Sequence, residues 1–249
     1  MVAAAAGFLT NPVLAACELA SGKTTAALVE LYTSEGCSSC PPADRQMRHL
    51  EEALDAGARA VPLALHVPYW DYIGWKDRFA RPAFAERQEW LVHANGQRTL
   101  YTPQFFVNGA ELRATRTSLR EQVRKLNATA AAADIRLSAA HPSSELLRLS
   151  AQASAKSGGA PLALYLALTE SGLVSKISRG ENAGAILEHD HVVREWIGPV
   201  RLGADGARVQ RDIRLPAAWN RSQLALVAFV QDERTGHVLQ ALGGRCTGS

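Results

Sequence analysis

The sequence predicts an α/β unit in the first half of the chain and an all-β, sandwich-like unit in the second half. Apolar runs at 26–34 and 58–67 enclose a stretch with helical spacing at 41–57, and this order is typical of a parallel βαβ unit. From about residue 134, short segments alternate apolar and polar residues between turns, which is the pattern of an antiparallel β-sandwich.

The elements of the α/β unit follow from residue type and spacing. The run at 26–34 holds β-branched and aromatic residues, as a buried strand does, and 58–67 is a second strand candidate. Between them, Met47, Leu50 and Leu54 fall on one helical face. We therefore expect the two strands to pair in parallel across one helix.

Four further elements complete the first unit. Residues 68–79 form an aromatic-rich loop, and 81–96 have the pattern of a helix. Residues 101–116 predict two short strands that turn at Asn108–Gly109, a strong hairpin signal. Residues 117–133 predict a last helix.

The second unit is predicted from six alternating segments, at 135–140, 146–155, 161–170, 192–203, 207–216 and 223–233. The change of pattern lies in the alanine-rich end of the preceding helix. We therefore divide the chain into a leader at 1–16, an α/β domain at 24–132 and a β-sandwich domain at 133–249.

The leader and the charge distribution bear on location and partners. Residues 1–16 are small and apolar, which indicates the remnant of a secretory signal and a periplasmic or secreted protein. "LAAC" alternatively resembles a lipobox, which would make Cys17 a lipid anchor. No later apolar run has membrane length, so we expect no membrane span. The net charge is only +3, and the sequence has no block of like charges. We therefore expect no nucleic-acid partner.

Four cysteines form one close pair, Cys37 and Cys40, and one distant pair, Cys17 and Cys246. Chain ends often lie close together in compact proteins, and an exported protein keeps its disulfides. We favour a structural Cys17–Cys246 disulfide over the lipobox, because lipidation would leave Cys246 alone. In the chain-entropy account such a bridge stabilises by roughly 4–5 kcal/mol.

The close pair, in "EGCSSCPPAD", is a redox centre, half of a metal site or a structural staple. The chain contains no second C-x-x-C or C-x-x-H to complete a zinc site. The pair follows a predicted strand and precedes a predicted helix, where a redox-active dithiol belongs. At a helix N-terminus a thiolate is stabilised, so Cys37 is the expected nucleophile and Cys40 the resolving thiol. Prolines 41 and 42 would delay the start of that helix.

Together, "GCSSC" and the strand entry Thr102–Pro103 resemble the thioredoxin fold. The resemblance implies an N-terminal thioredoxin-like domain in which Pro103 is cis and Thr102 faces an extended substrate. The segments listed next resemble a family of bacterial secreted proteins of unknown function that also carry a β-rich C-terminal domain: "LVELYTSEGCSSCPPAD", "HVPYWDYIGWKD", "YTPQFFVNG" and "RGENAGAILEHDHVVREW". Pro68 departs from that family's pattern, where an acidic residue is expected.

Other candidate residues surround the predicted dithiol. His66 ends the second strand, where it would assist proton transfer or supply a third ligand to a soft metal such as copper. Trp70 and Trp75 would form a substrate-binding wall, although core packing is the commoner use of such residues. His189 and His191, in "EHDH", are more typical of a solvated face than of a metal site.

The sequence therefore favours an exported thiol–disulfide oxidoreductase that needs no cofactor beyond its own disulfide. Its expected partners are protein thiols or disulfides and a redox partner protein. Two alternatives stay open. One is a periplasmic copper or soft-metal binding protein that uses the same cysteines, and the other is a non-catalytic adaptor with a structural Cys37–Cys40 disulfide.

Overall fold

The computed structural model describes residues 17–113, 118–156 and 160–246. The predicted leader at 1–16 lies outside these residues. Of the described residues, 45% are in strands or bridges and 19% are helical. No described helix has both the length and the apolar character that crossing a membrane requires.

The helices are α1 (Pro41–Arg48), α2 (Leu50–Ala53), α3 (Pro82–Ala94) and α4 (Leu119–Asn127), with short 3-10 helices at Pro68–Ile73 and Arg221–Gln223. The first seven strands are β1 (Cys17–Ala20), β2 (Ala27–Thr33), β3 (Ala60–His66), β4 (Gln104–Val107), β5 (Ala110–Glu111), β6 (Ala133–Ser143) and β7 (Leu146–Ala155). The others are β8 (Leu162–Glu170), β9 (Leu173–Lys176), β10 (Ile186–His189), β11 (Val192–Arg201), β12 (Ala207–Arg214), β13 (Leu224–Asp232) and β14 (Val238–Gly244).

Eight strands form one large sheet in the order β14-β13-β8-β11-β3-β2-β4-β5. β2 and β3 pair in parallel, as the βαβ pattern predicted, and β4 and β5 form the expected hairpin at Asn108–Gly109. Both turn residues have positive φ (47° and 81°). A side chain at residue 109 would also collide with the backbone of Gly236, so glycine is needed there.

The predicted fold class, an α/β thioredoxin-like domain followed by an all-β sandwich, is wrong. The molecule is mostly β, and β8, β11, β13 and β14 continue the same sheet that β2 to β5 begin. The link is made where β11 pairs in parallel with β3, through Val192 and Ala64. The division at 24–132 and 133–249 stays a prediction, and the shared sheet crosses it.

Burial on both faces of the large sheet explains why its central strands are almost wholly apolar. In β8, Leu164 and Leu166 pack towards a four-stranded sheet of order β1-β6-β7-β12, while Tyr165 and Ala167 pack on the opposite side with residues of α3. β2 alternates in the same way between α3 on one face and α1 with α4 on the other. A continuous apolar run is the expected signature of such a strand.

Two disulfides contain all four cysteines, Cys17–Cys246 and Cys37–Cys40. The first joins β1 to the segment after β14, which is the pairing favoured from the sequence. A sulfur held in this bond is not available for the thioether of a lipid anchor. β9 and β10 form a separate two-stranded ribbon, and β10 packs on α1.

Candidate functional site

The Cys37–Cys40 disulfide lies between the end of β2 and the start of α1. Cys40 is the N-cap of α1, and the helix begins at once with Pro41 and Pro42, so the prolines do not delay it as expected. Two prolines at the first helical positions carry no N–H groups, and the next two N–H groups both bond to the Cys40 carbonyl oxygen. The helix dipole, rather than free N–H donors of the first turn, is therefore left to stabilise a thiolate.

The loop that carries Thr102 and Pro103 faces this disulfide. The Thr102–Pro103 peptide bond is cis, as the resemblance implied. The Thr102 carbonyl oxygen lies 3.7 Å from Cys37 Sγ and 3.5 Å from the Ser39 hydroxyl oxygen, which donates to it. In the disulfide Cys37 has no proton to donate, and reduction would convert this approach into an S–H···O contact.

Trp70 and Trp75, which the sequence predicted as a substrate-binding wall, donate hydrogen bonds to the two loops beside the disulfide. The Trp70 indole donates to the Thr102 hydroxyl at 2.7 Å, and the Trp75 indole donates to Glu35 Oε2 at 2.7 Å. Trp70 also packs so closely on Gly36 that a Cβ there would lie 3.0 Å from Trp70 Cβ. Both rings are half-buried, and a role in substrate binding stays a prediction.

Residues 34–40, between β2 and α1, form the cysteine loop, and a loop from the second half of the chain covers it. Asn182 donates its side-chain amide to the Glu35 carbonyl at 2.8 Å and to the Cys37 carbonyl at 3.0 Å. Glu181 accepts the Ser38 N–H at 3.1 Å. This loop, Arg179–Asn182, lies between β9 and β10 and is called the capping loop below.

Five ionisable side chains lie beside the cysteine loop, four of them buried and that of Asp44 9% exposed, and we call them the acid–histidine cluster: Glu35, Asp44, His66, Asp77 and His189. The His66 Nδ1–H donates to Asp77 Oδ2 at 2.7 Å, and the same oxygen accepts the Glu35 N–H at 2.9 Å. The His66 and His189 rings meet edge to face, with centroids 5.0 Å apart.

His189 lies between two carboxyl groups of this cluster. Its Nε2 is 3.2 Å from Glu35 Oε1, an ion-pair distance without hydrogen-bond geometry, and its Nδ1 is 3.9 Å from Asp44 Oδ2. Within the described part of the chain, both His189 nitrogens, His66 Nε2 and Glu35 Oε1 lack hydrogen-bond partners. Buried polar atoms left in this state are costly, and they mark sites with a functional or solvent-related role.

The pKa values of the cluster follow from burial and from its internal charges. Burial lowers the pKa of His66, but the charge and hydrogen bond of Asp77 together with the charges of Asp44 and Glu35 outweigh it, so the net pKa is raised. Burial raises the pKa of Asp77, but His66 and the Glu35 and Phe79 N–H groups together outweigh it and the net pKa is lowered. Burial also raises the pKa of Glu35, but His189, Ser175 and Trp75 together outweigh it and the net pKa is lowered. Only for Asp44 does burial prevail, so its pKa is raised.

The two cysteines of the Cys37–Cys40 disulfide are both buried. Cys37 is 1% exposed and Cys40 is 0% exposed, whereas Ser38 and Ser39 between them face solvent. A groove of about 790 Å³ lies elsewhere on the molecule, near Arg48 and Arg245, and neither Cys37 nor Cys40 lines it. Access to the disulfide therefore requires movement of the exposed serines or of the capping loop.

Among residues 17–113, 118–156 and 160–246, no three His, Cys, Asp or Glu side chains are placed to hold a metal ion. His66 in particular is engaged with Asp77. The copper hypothesis needed His66 as a third ligand. Among the described side chains its candidate ligands are now the two cysteines alone, and it stays a prediction.

Residues 28–231 match the family model described as a protein of unknown function, DUF1223. The chain belongs to the DUF1223 family. The match spans every element described above as part of the site. Among curated proteins, none is similar to the chain.

Two solved structures share the fold of this DUF1223 member. A protein of Agrobacterium tumefaciens is 21% identical, with a TM-score of 0.62, over 92% of this chain and 98% of its own. HBP35 of Porphyromonas gingivalis is 17% identical, with a TM-score of 0.70, over 90% of this chain and 76% of its own. At these identities the likeness concerns the fold alone.

Sequence reasoning placed Cys37, Cys40, Thr102 and the tryptophans together, and it placed His66 at the same sheet edge. It did not consider Glu35 and Asp44, it regarded Asp77 only as a helix cap or salt-bridge partner, and it treated His189 as solvated. His189 instead ends β10 in the interior, while His191 follows with positive φ (58°) outside the strand. The only signal was that charged residues adjoin apolar strand ends, which does not distinguish a buried acid from a surface one.

The His66–Asp77 pair should make stability depend on pH in a defined window. The Asp77 contribution is present above its unfolded pKa, near 3.8, and is lost as pH falls through the lowered folded value. The His66 contribution is complete below its unfolded pKa, near 6.5, and is lost as pH rises through the raised folded value. We therefore expect the destabilisation by Asp77→Asn, measured by urea unfolding, to be largest between about pH 4 and 6.5. An equal destabilisation at pH 5 and pH 9 would contradict this assignment.

Proposed function

We propose that this DUF1223 member is a thiol–disulfide oxidoreductase whose reactive pair is Cys37 and Cys40. The observation that carries the proposal is the position of their disulfide, which caps α1 and faces the Thr102 carbonyl at 3.7 Å from Cys37 Sγ. A short-loop disulfide at a helix N-terminus can form and break with little rearrangement of the chain. The Cys17–Cys246 disulfide, which ties the two ends of the described chain, takes the structural role.

In the direction of substrate reduction, the Cys37 thiolate attacks a substrate disulfide. A Cys37–substrate disulfide forms, the substrate S–S bond breaks, and the released thiolate takes up a proton. Cys40 then loses its proton and attacks Cys37 Sγ, which re-forms the Cys37–Cys40 disulfide and releases the second substrate thiol. A dithiol partner must then supply two electrons to reduce the pair again.

The same chemistry defines the partners and the compartment that we propose. The substrates are protein thiols or disulfides, and a separate redox protein restores the active state. Disulfides persist in oxidising compartments, so a periplasmic or secreted location fits the two that are present. Because both cysteines are enclosed, substrate entry displaces Ser38 and Ser39 or the capping loop.

The decisive test is to trap the mixed disulfide. Reduced Cys40→Ala protein, incubated with disulfide-bonded insulin, should form an adduct on Cys37 that is visible on a non-reducing gel and mapped by mass spectrometry. The matched control is the Cys37→Ala/Cys40→Ala protein, which should form none. Absence of an adduct, together with a wild-type potential below about −300 mV, would instead support the adaptor with a structural disulfide.

A further inference from the structure

The acid–histidine cluster has an excess of acid. Two histidines can neutralise two carboxylates, and the distances assign His66 to Asp77 and His189 to Glu35. Asp44 is the third carboxyl, and it shares His189 with Glu35 at a longer distance, 3.9 Å between its Oδ2 and His189 Nδ1. An enclosed carboxylate without its own cation is unfavourable, so it readily takes up a proton.

Asp44 is also the cluster member placed next to Cys40. It lies one helical turn after Cys40, and its N–H donates to the Cys40 carbonyl at 3.1 Å. Helical side chains lean towards the N-terminus, so residues four apart lie one above the other on the same face. The Asp44 carboxyl is held on the β2 side of α1, because its Oδ1 accepts the Thr33 hydroxyl at 2.9 Å.

The remaining groups around Asp44 come from three other elements. His189 is at the end of β10, His66 is at the end of β3, and Asp77 follows the 3-10 helix. On its own helix, Arg48 is paired instead with Glu188 and Asp190. The His189 Nδ1, which has no hydrogen-bond partner among the described residues, is therefore the group best placed to balance a charge on Asp44.

Building on the proposed function, we propose that the Asp44 carboxyl group exchanges a proton with the Cys40 thiol. His189 is the group that balances the charge of Asp44. When Cys40 attacks the mixed disulfide, its S–H bond breaks and the proton passes to the Asp44 carboxylate. The Cys40–Cys37 bond forms, the Cys37–substrate bond breaks, and the substrate leaves as a thiolate. Asp44 then passes this proton to solvent or to that thiolate, so that Asp44 is again a carboxylate and the protein has lost only the Cys40 thiol proton.

The first test follows the Cys40 thiol alone, in a Cys37→Ser background where Cys17 and Cys246 remain bonded. Ultraviolet absorbance of the thiolate gives its titration midpoint. Adding Asp44→Asn should move the midpoint to lower pH by about one unit, because a neighbouring carboxylate no longer opposes the thiolate. The asparagine oxygen can still accept from Thr33, and the exposed Glu52→Gln serves as the control that should not move the midpoint. An unchanged midpoint in Asp44→Asn would overturn the proposal.

A second variant guards against a folding defect. His189→Gln removes the charge partner and should move the same midpoint to higher pH, opposite to Asp44→Asn. A general loss of packing would move both variants in the same direction, which would count against the proposal.

The kinetic test separates this proposal from the proposed function. Reduced protein with an intact dithiol is mixed with oxidised glutathione, and closure of the Cys37–Cys40 disulfide is followed by rapid acid quench. Asp44→Asn should slow closure by roughly a hundredfold and remove part of its pH dependence. If wild-type protein never exchanges with a disulfide, the oxidoreductase function fails, while the thiol titration still decides whether Asp44 and Cys40 are coupled. If Asp44→Asn closes the disulfide at the wild-type rate, the proposed proton exchange between Asp44 and Cys40 is wrong, while the oxidoreductase function stands.

Discussion

Cys37→Ser should reduce the rate of insulin disulfide reduction by roughly a thousandfold or more. A serine hydroxyl is not ionised near neutral pH and cannot form a mixed disulfide, so the first step of the exchange is removed. The rate is measured as turbidity from reduced insulin chains, with dithiothreitol as the electron source and the uncatalysed reaction subtracted.

The matched control for that experiment is the other disulfide. The Cys17→Ser/Cys246→Ser protein should retain its rate within about twofold and unfold at lower urea concentration, because the bond closes a loop across 229 residues. If instead the terminal pair is needed for activity and Cys37 is not, our proposal has assigned the chemistry to the wrong pair of cysteines.

Arg87→Met should lower the free energy of unfolding by about 3–5 kcal/mol. The Arg87 guanidinium donates to Glu30 Oε1 at 2.7 Å and to Gln231 Oε1 at 3.0 Å, and it packs against the Trp196 and Phe229 rings. Glu30 is fully buried. Removing the arginine therefore leaves a buried carboxylate without its cation, and urea unfolding at neutral pH measures the cost.

An exposed pair provides the comparison. Arg148 and Asp212 lie on neighbouring strands, and their side chains are 36% and 40% exposed. Arg148→Met should cost less than about 1 kcal/mol, because solvent screens such a pair. The Glu30→Gln/Arg87→Met protein should be less destabilised than the sum of its two single variants. A cost below about 1 kcal/mol for Arg87→Met would show that the buried pair is not a main contributor to stability.

Local elements were predictable where the residues that decide them are adjacent. β2 and β3 were predicted from their apolar runs, and the hairpin from Asn108–Gly109, since both depend on burial preference and backbone freedom within a few residues. The helix predicted at 41–57 is instead divided into α1 and α2 at His49. The C-x-x-C pair was found from its spacing, and the redox role predicted for it came from the strand before it and the helix after it.

The arrangement of the sheet was not predictable in the same way. β8 reads as an alternation of leucine with smaller or aromatic residues, which is equally consistent with a sandwich face and with a strand buried on both sides. The structure shows the second case, because one face of β8 packs towards the four-stranded sheet and the other packs with residues of α3. In the large sheet, the strands of the two halves are joined by one parallel pair, Val192 with Ala64, and no local pattern reports it.

By itself, the sequence predicted the Cys37–Cys40 pair, its setting between a strand and a helix, and the pairing of the remaining cysteines. The tertiary structure alone decided that Asn182 and Glu181 cover the cysteine loop, and that His189 lies among Glu35 and Asp44. In the sequence, Glu181, Asn182 and His189 lie about 140 or more positions after the cysteine loop. The physical reason is that burial and charge pairing depend on which distant segments meet, whereas strand, turn and dithiol signals are carried by neighbours in the chain.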